Sequence, residues 1–307
     1  MTAGMNETRA ASGDAHLAET AGLVLAGGRS SRMGADKALL RFPGGTLLER
    51  TMERIGSLAG PLVLSLAPGQ RLPEGLRLPP GLLMATDGEP WQGPLWGLAE
   101  GFRALAGRAR RVLVVPVDMP NLTLPWMNRL LQGLDDDGET LACMYRHRGY
   151  LNGLTAAYDL RIQGRLEELI GGGRHRLSLL GEGVPRRVLD TAGEDAPLPH
   201  PLDDVDTPEA YRGALLAEGV GNPQGAPVTV EIPGWNAGQT AWTALFARNG
   251  ADVLAALKTL YPERHDGGGA EPRRLWLAGE KEDLRQAVSL EGPLPPGGRL
   301  LLLPEDK

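Results

Sequence analysis

A short apolar run, Gly22-Leu23-Val24-Leu25-Ala26, stops on Gly27-Gly28 and hands over to a loop rich in arginine. A run with no polar positions has no face to give to water, so it reads as a strand buried on both sides, the habit of parallel sheets covered by helices. Leu62-Val63-Leu64-Ser65-Leu66 repeats the pattern and is stopped by Ala67-Pro68-Gly69, and Leu82-Leu83-Met84 offers a short third strand. Arg111-Val112-Leu113-Val114-Val115-Pro116-Val117-Asp118 is the strongest strand signal, β-branched and apolar with an acidic residue at its carboxyl end. Between these runs, Leu47 to Ile55 and Leu95 to Leu105 carry apolar residues at helical spacing. Trp126 to Leu134 does so again before two further strand candidates, Thr140 to Tyr145 and Leu154 to Tyr158. Alternating strands and helices predict an α/β domain with a doubly wound, mostly parallel sheet. Ligands of such sheets bind outside the carboxyl ends of the strands, where the glycine loop and Asp118 both fall.

A chain of 307 residues is long for one core, and the pattern breaks once. Residues 1–20 are small, polar and acidic, with neither a basic start nor an apolar stretch, and read as a disordered leader rather than a secretory signal. The α/β domain is expected over 21–217. Residues 218–227 are rich in glycine and proline and read as a linker. After them the pattern restarts over 228–307. Val228 to Ile232 alternates as a strand, Asp252 to Leu260 is amphipathic, and Leu275 to Leu277 and Leu300 to Leu303 are later strands. These form a small α+β domain of roughly 80 residues, near the lower size at which a core holds alone.

Composition excludes several classes of function. A net charge of −6 gives no electrostatic reason to expect nucleic acid or an anionic membrane as partner. No apolar run approaches the ~20 residues of a membrane-spanning helix. Cys143 is the one cysteine, which excludes an internal disulfide or a cysteine metal cluster, and its apolar neighbours Leu141, Ala142 and Met144 make it a small buried hydrophobe. A cytoplasmic location is expected. His16, His147, His175, His200 and His265 fall in polar or loop contexts without metal-ligand spacing.

The chemistry concentrates in Leu25-Ala26-Gly27-Gly28-Arg29-Ser30-Ser31-Arg32-Met33-Gly34-Ala35-Asp36-Lys37. The two glycines let backbone approach a phosphate or base closely, and the N–H groups of a loop after a strand can face an anion. Arg29, Arg32 and Lys37 add three cations, suited to forked and point-charge contacts with phosphate oxygens. The loop is neither a Walker A motif nor a Rossmann fingerprint, because the required spacings are missing. Asp118, a carboxylate ending a buried strand, is a hard ligand aimed at the mouth of the sheet or, alternatively, a cap for the helix that follows.

The glycine loop resembles the signature of the nucleotidyltransferase family that holds the molybdenum cofactor guanylyltransferases. Three later segments resemble that family's motifs in the same order. They are Asp87 with Gly93-Pro94-Leu95-Trp96-Gly97-Leu98, then Pro116-Val117-Asp118-Met119-Pro120, then Asp204-Val205-Asp206-Thr207-Pro208-Glu209. The resemblance covers about residues 20–216. It implies a Rossmann-type nucleotide-diphospho-sugar-transferase fold and transfer of GMP from GTP to the phosphate of molybdopterin or molybdenum cofactor, with release of pyrophosphate. By residue, Leu25, Ala26, Gly27 and Gly28 would meet the nucleotide through backbone, together with Gly93. Asp87 would hold part of the nucleoside, Lys37 and Arg32 would neutralise the triphosphate, and Asp118 would bind Mg²⁺ and the nucleotide through it. For Asp204 and Asp206 a helix-capping role, with Thr207 as the N-cap, stands beside the functional one.

Departures from the family pattern bear on the base. The loop after the second strand, Ser65-Leu66-Ala67-Pro68-Gly69, lacks the family's frequent asparagine, and aspartates 204 and 206 stand where guanylyltransferases usually carry asparagine. Cytidylyltransferases of the same cofactor often show aspartate there, but usually read Leu-Ala-Ala-Gly where this chain reads Leu-Ala-Gly-Gly, so guanine is expected. The alternatives are a cytidylyl- or sugar-nucleotide transferase and a non-catalytic nucleotide-binding scaffold. The C-terminal domain weakly resembles the β-grasp sulfur carriers of molybdopterin synthesis in Asp252 to Leu257, Leu260-Tyr261-Pro262-Glu263, Pro293-Leu294 and Gly297 to Pro304. Those carriers end in Gly-Gly, whereas this sequence ends Pro304-Glu305-Asp306-Lys307, so sulfur carriage is not expected and recruitment of other proteins of the pathway is.

Overall fold

A computed structural model describes residues 19–27, 33, 36–86, 93–134, 138–174, 176–236, 239–262, 273–278, 285–287, 293–294 and 298–304. Its contacts divide the chain into two compact units. One takes in residues up to Arg29 together with Leu48–Leu202, and the other Ser30–Leu47 together with Asp203–Lys307.

The first unit is built on a seven-stranded sheet of β1 (Thr20–Leu25), β4 (Leu62–Leu66), β5 (Leu83–Thr86), β6 (Arg111–Pro116), β7 (Ala142–His147), β8 (Tyr150–Asp159) and β9 (Arg186–Asp190), in the order β5-β4-β1-β6-β8-β7-β9. β1 pairs in parallel with β4 on one side and β6 on the other, and β4 pairs in parallel with β5. β8 runs antiparallel to both β6 and β7, and β9 returns parallel to β7. The mostly parallel α/β sheet expected from the alternation is therefore present. Every residue of β4 and β6 is buried, as is all of β1 except Leu25, which accounts for strands with no polar face.

Helices cover the sheet: α1 (Leu47–Gly56), α2 (Pro94–Leu105), α3 (Leu124–Gln132) and α4 (Gln163–Gly171). α2 turns Leu95, Leu98, Phe102 and Leu105 inward, a helical stripe that joins Leu23, Val63, Val112, Val114 and Tyr158 in one core. Each such apolar side chain contributes about 1.5–3 kcal/mol on burial. Gly101 lets the helix settle on β1, since a Cβ there would lie 2.5 Å from Leu23 Cδ2. The buried Tyr158 donates its hydroxyl to the Gly153 carbonyl at 2.7 Å, so its polar tip is satisfied inside the core.

The second unit contains a five-stranded sheet of β10 (Ala226–Asn236), β11 (Gln239–Ala247), β12 (Arg273–Ala278), β13 (Arg285–Ala287) and β14 (Gly298–Pro304), in the order β11-β10-β14-β12-β13. β10 and β11 form an antiparallel hairpin, and the last strand, β14, enters parallel to β10. β12 pairs antiparallel with β14, and β13 antiparallel with β12. α6 (Gly250–Leu260) is capped by Asn249, whose side chain accepts from the Asp252 amide at 3.0 Å, and buries Val253, Ala256, Leu257 and Leu260. This unit also holds α5 (Pro208–Ala217) and the two-stranded ribbon of β2 (Arg41–Phe42) and β3 (Gly45–Thr46).

Residues 218–225 are turns held to both neighbours. The Val220 amide donates to the Leu215 carbonyl at 2.8 Å and the Asn222 amide to the Phe246 carbonyl at 2.7 Å. At Gly225 a Cβ would lie 2.4 Å from Ala247 backbone atoms. Among the described residues no helix is long and apolar enough to cross a membrane.

Candidate active site

The register of β1 on β6 decides which residues leave the first unit's sheet side by side. Leu25 pairs with Pro116, and the Val117 amide extends the ladder by donating to the Leu25 carbonyl at 2.9 Å. Ala26-Gly27 and Val117-Asp118 therefore emerge from adjacent strands at the carboxyl edge, bringing together the start of the glycine loop and the acidic strand end. On the other side of β1, the Ala26 amide donates to the Ser65 carbonyl at 2.9 Å.

Gln70 closes this edge. Its side-chain oxygen accepts from the Ala67 amide at 3.0 Å, and its side-chain nitrogen donates to the Ala26 carbonyl at 3.2 Å. One amide group thus ties the glycine loop to the loop after β4, the segment where the family's frequent asparagine is absent. Sequence reasoning missed Gln70, because its role depends on a chain reversal that brings it back over β1. Gly27 lies close against the loop after β4, and a Cβ there would lie 2.8 Å from the Ala67 nitrogen.

Asp118 is half-buried in the turn that follows β6. The N-cap of α3 is Thr123, with a proline in the first helical turn, so Asp118 does not cap that helix. The turn beyond it is pinned by Arg54, whose Nη1 donates to the Pro120 carbonyl at 2.6 Å and to the Leu122 carbonyl at 3.3 Å. Gly93 immediately precedes α2 at φ 92°, a left-handed conformation that favours glycine, with Pro94 opening the helix.

In the second unit, Lys37 opens a 3-10 turn over Lys37–Leu39 capped by Asp36, which accepts from the Ala38 amide at 3.0 Å. The Lys37 ammonium is paired with the Asp206 carboxylate, and only 18% of the lysine side chain is exposed. Two motifs 169 residues apart are joined by that pair. The capping role open to the Asp204–Asp206 segment belongs to Thr207, whose hydroxyl accepts from the Ala210 amide at 3.2 Å. Gly28, Arg32 and Asp87 lie outside the described residues, as do His16, His175 and His265. His147 and His200 stack at 4.2 Å in the first unit with Trp126 edge-on to His200, and Cys143 is buried, as its apolar neighbours suggest.

One carboxylate at this edge has the chemistry that a divalent metal takes. Asp118 is a hard oxygen donor at a buried strand's carboxyl end and is not taken up by the cap of α3.

Comparison with known proteins places this geometry. The family described as "MobA-like NTP transferase domain" matches residues 22–189. A probable molybdenum cofactor guanylyltransferase of Mycobacterium tuberculosis H37Rv is 38% identical over 164 residues, covering 52% of this chain and 78% of the relative. One from Mycobacterium marinum is 33% identical over 196 residues, covering 62% and 93%. Among solved structures, molybdopterin-guanine dinucleotide biosynthesis protein A of Archaeoglobus fulgidus aligns over 65% of this chain and 98% of its own. Its TM-score is 0.52 at 19% identity, a likeness of fold. The strand-end glycine loop, the acidic end of β6 and these relatives agree: the chain belongs to the MobA-like NTP transferase family.

Proposed function

We propose that the protein transfers GMP from GTP to the phosphate of molybdopterin or molybdenum cofactor, releasing pyrophosphate. The observation that carries this reading is the pairing of a glycine loop with an acidic strand end on neighbouring parallel strands, in a family whose curated relatives bear the guanylyltransferase name.

The acceptor phosphate carries its own negative charge, so attack on the α-phosphorus needs no strong general base. Positioning and charge neutralisation are then the main contributions. Leu25, Ala26, Gly27 and Gly28 receive the nucleotide through backbone at the end of β1, with Asp87 and Gly93 completing the nucleoside side. Lys37 and Arg32 neutralise the phosphates. Asp118 holds Mg²⁺, which supplies charge neutralisation to the phosphate oxygens when bound. The Lys37 ammonium, paired with Asp206, must share or give up that carboxylate to reach phosphate oxygens.

The C-terminal sheet supports a β-grasp reading, since its last strand lies parallel to its first between two antiparallel arms. In this reading it brings proteins of the same pathway to the transferase in the cytoplasm. The test is pyrophosphate release from each of the four NTPs with molybdopterin as acceptor, with Mg²⁺ and with chelator. Release from GTP that chelator abolishes is expected. Turnover with CTP in preference to GTP would move the assignment to a cytidylyltransferase, the reading that aspartates 204 and 206 favour, and no turnover with any NTP would leave a nucleotide-binding scaffold.

A further inference from the structure

Lys37 and Arg41 belong to one short stretch, and α5 holds that stretch at both ends. At one end Asp206, just before the helix, pairs with Lys37. At the other, Tyr211 donates its hydroxyl to the Arg41 carbonyl at 2.5 Å and sets its ring edge-on to Phe42 at 5.4 Å. α5 is itself backed by β11. The Tyr211 oxygen lies 3.3 Å from Thr243 Oγ1, and its ring stacks on Trp242 at 5.9 Å. Tyr261, at the end of α6, lies 5.4 Å from the Arg41 guanidinium and donates to the Trp242 carbonyl at 3.4 Å.

Phe42, Tyr211 and Thr243 are fully buried. The single Tyr211 hydrogen goes to Arg41, so Thr243 is the donor of the other bond, and a directed chain runs from Thr243 on β11 through Tyr211 on α5 to the backbone of β2. Burial pushes the Tyr211 phenol well above its ordinary range, so it stays a donor at any working pH. Hydroxyls bonded in series away from water hold their geometry tightly, because a broken link leaves a buried polar group without a partner.

We infer that the C-terminal sheet is a positioning element of the transferase: through Thr243 and Tyr211 it fixes the backbone at Arg41 and so sets where Lys37 meets the polyphosphate of the nucleotide. Tyr211 and Thr243 are positioning residues, acting through Lys37. The inference rests on the reading of Lys37 as a phosphate partner.

The test uses the full-length protein and four single variants, Tyr211→Phe, Thr243→Val, Thr243→Ser and Lys37→Ala, with the double variant Lys37→Ala/Tyr211→Phe. Melting temperature, the Kd of a fluorescent GTP analogue, and kcat and KM for pyrophosphate release are measured at a temperature where every variant is folded. Tyr211→Phe and Thr243→Val are expected to lower kcat/KM for GTP by about 10- to 100-fold, the scale of a misplaced catalytic contact. Thr243→Ser, which keeps the donor, restores most of it. Lys37→Ala alone costs about 10²–10⁴-fold, and adding Tyr211→Phe to it costs little more, the non-additivity of residues acting as one unit. If Tyr211→Phe lowers only the melting temperature, or if its loss multiplies fully with that of Lys37→Ala, the chain is packing alone and the inference falls. If Lys37→Ala leaves both kcat/KM and analogue binding unchanged, the phosphate role of Lys37 fails first, a result separable from the other two.

Discussion

Asp118 leaves β6 beside Leu25, and the bond from the Val117 amide to the Leu25 carbonyl fixes where its backbone begins. Its substitution by asparagine removes charge and almost no volume. Asp118→Asn is therefore expected to abolish Mg²⁺-dependent pyrophosphate release while the melting temperature stays within a degree or two of the parent, by differential scanning fluorimetry. Retention of most metal-dependent turnover would remove Asp118 from the site. The acidic end of the strand was legible in the sequence because strand, acidic end and following turn are neighbours in the chain. The place of Lys37 in one continuous loop motif was legible for the same reason. Its pairing with Asp206 was not, since nothing local marks two residues so far apart as partners. Gln70 escaped notice too, because a glutamine in a loop carries no signal until the loop folds back on β1.

At the level of elements, strands buried on both faces announce themselves and edge strands do not. β1, β4 and β6 appear in the sequence as mainly apolar runs, whereas β9, Arg-Arg-Val-Leu-Asp, sits at the sheet's edge with its arginines exposed and reads as a polar loop. β2 and β3 have two residues each, below the length at which any period can be read. β8 ends on another device hidden from pattern reading. The buried Asp159 carboxylate accepts from the Arg161 amide at 3.0 Å and from Arg161 Nε at 2.9 Å, with Arg110 nearby at 3.5 Å. Burial works to raise this carboxyl, but the Arg161 bonds and the two positive charges outweigh it and hold it below its ordinary range. A carboxylate with a depressed folded value contributes stability above its unfolded value, about pH 4, and loses it as pH falls through the folded one. The melting-temperature gap between the parent and Asp159→Asn should therefore be full at neutral pH and shrink as pH drops below about 4. A gap independent of pH would show that the pair contributes packing rather than charge.

For the whole molecule, composition and contacts draw different maps. Glycine and proline mark residues 218–227, yet residues 218–225 are turns bonded to α5 on one side and β11 on the other, and α5 buries Tyr211, Ala214 and Leu215. Apolar content says where a core restarts. It does not say which earlier helix will complete that core. Nucleotide choice is likewise expected to depend on the assembled edge rather than on one motif. The guanylyltransferase-like reading Leu-Ala-Gly-Gly differs from the cytidylyltransferase-like Leu-Ala-Ala-Gly at Gly27, where a Cβ would press on the Ala67 nitrogen at 2.8 Å. Backbone atoms cannot swing aside as a side-chain tip does, so Gly27→Ala must push the glycine loop away from the loop after β4 and strain both Gln70 bonds. Ligand that binds only the folded protein raises its stability in proportion to the logarithm of concentration over Kd, so melting shifts rank nucleotides without an acceptor. In the parent, GTP with Mg²⁺ is expected to give the largest shift of the four NTPs. In Gly27→Ala the unliganded melting temperature should fall by several degrees, about the effect of 1–2 kcal/mol in a domain this size. The GTP shift should fall with it. A variant that keeps the parent's GTP shift would show that the close approach of the two loops is packing without consequence for the base, and a larger CTP shift in the parent would reassign the base itself.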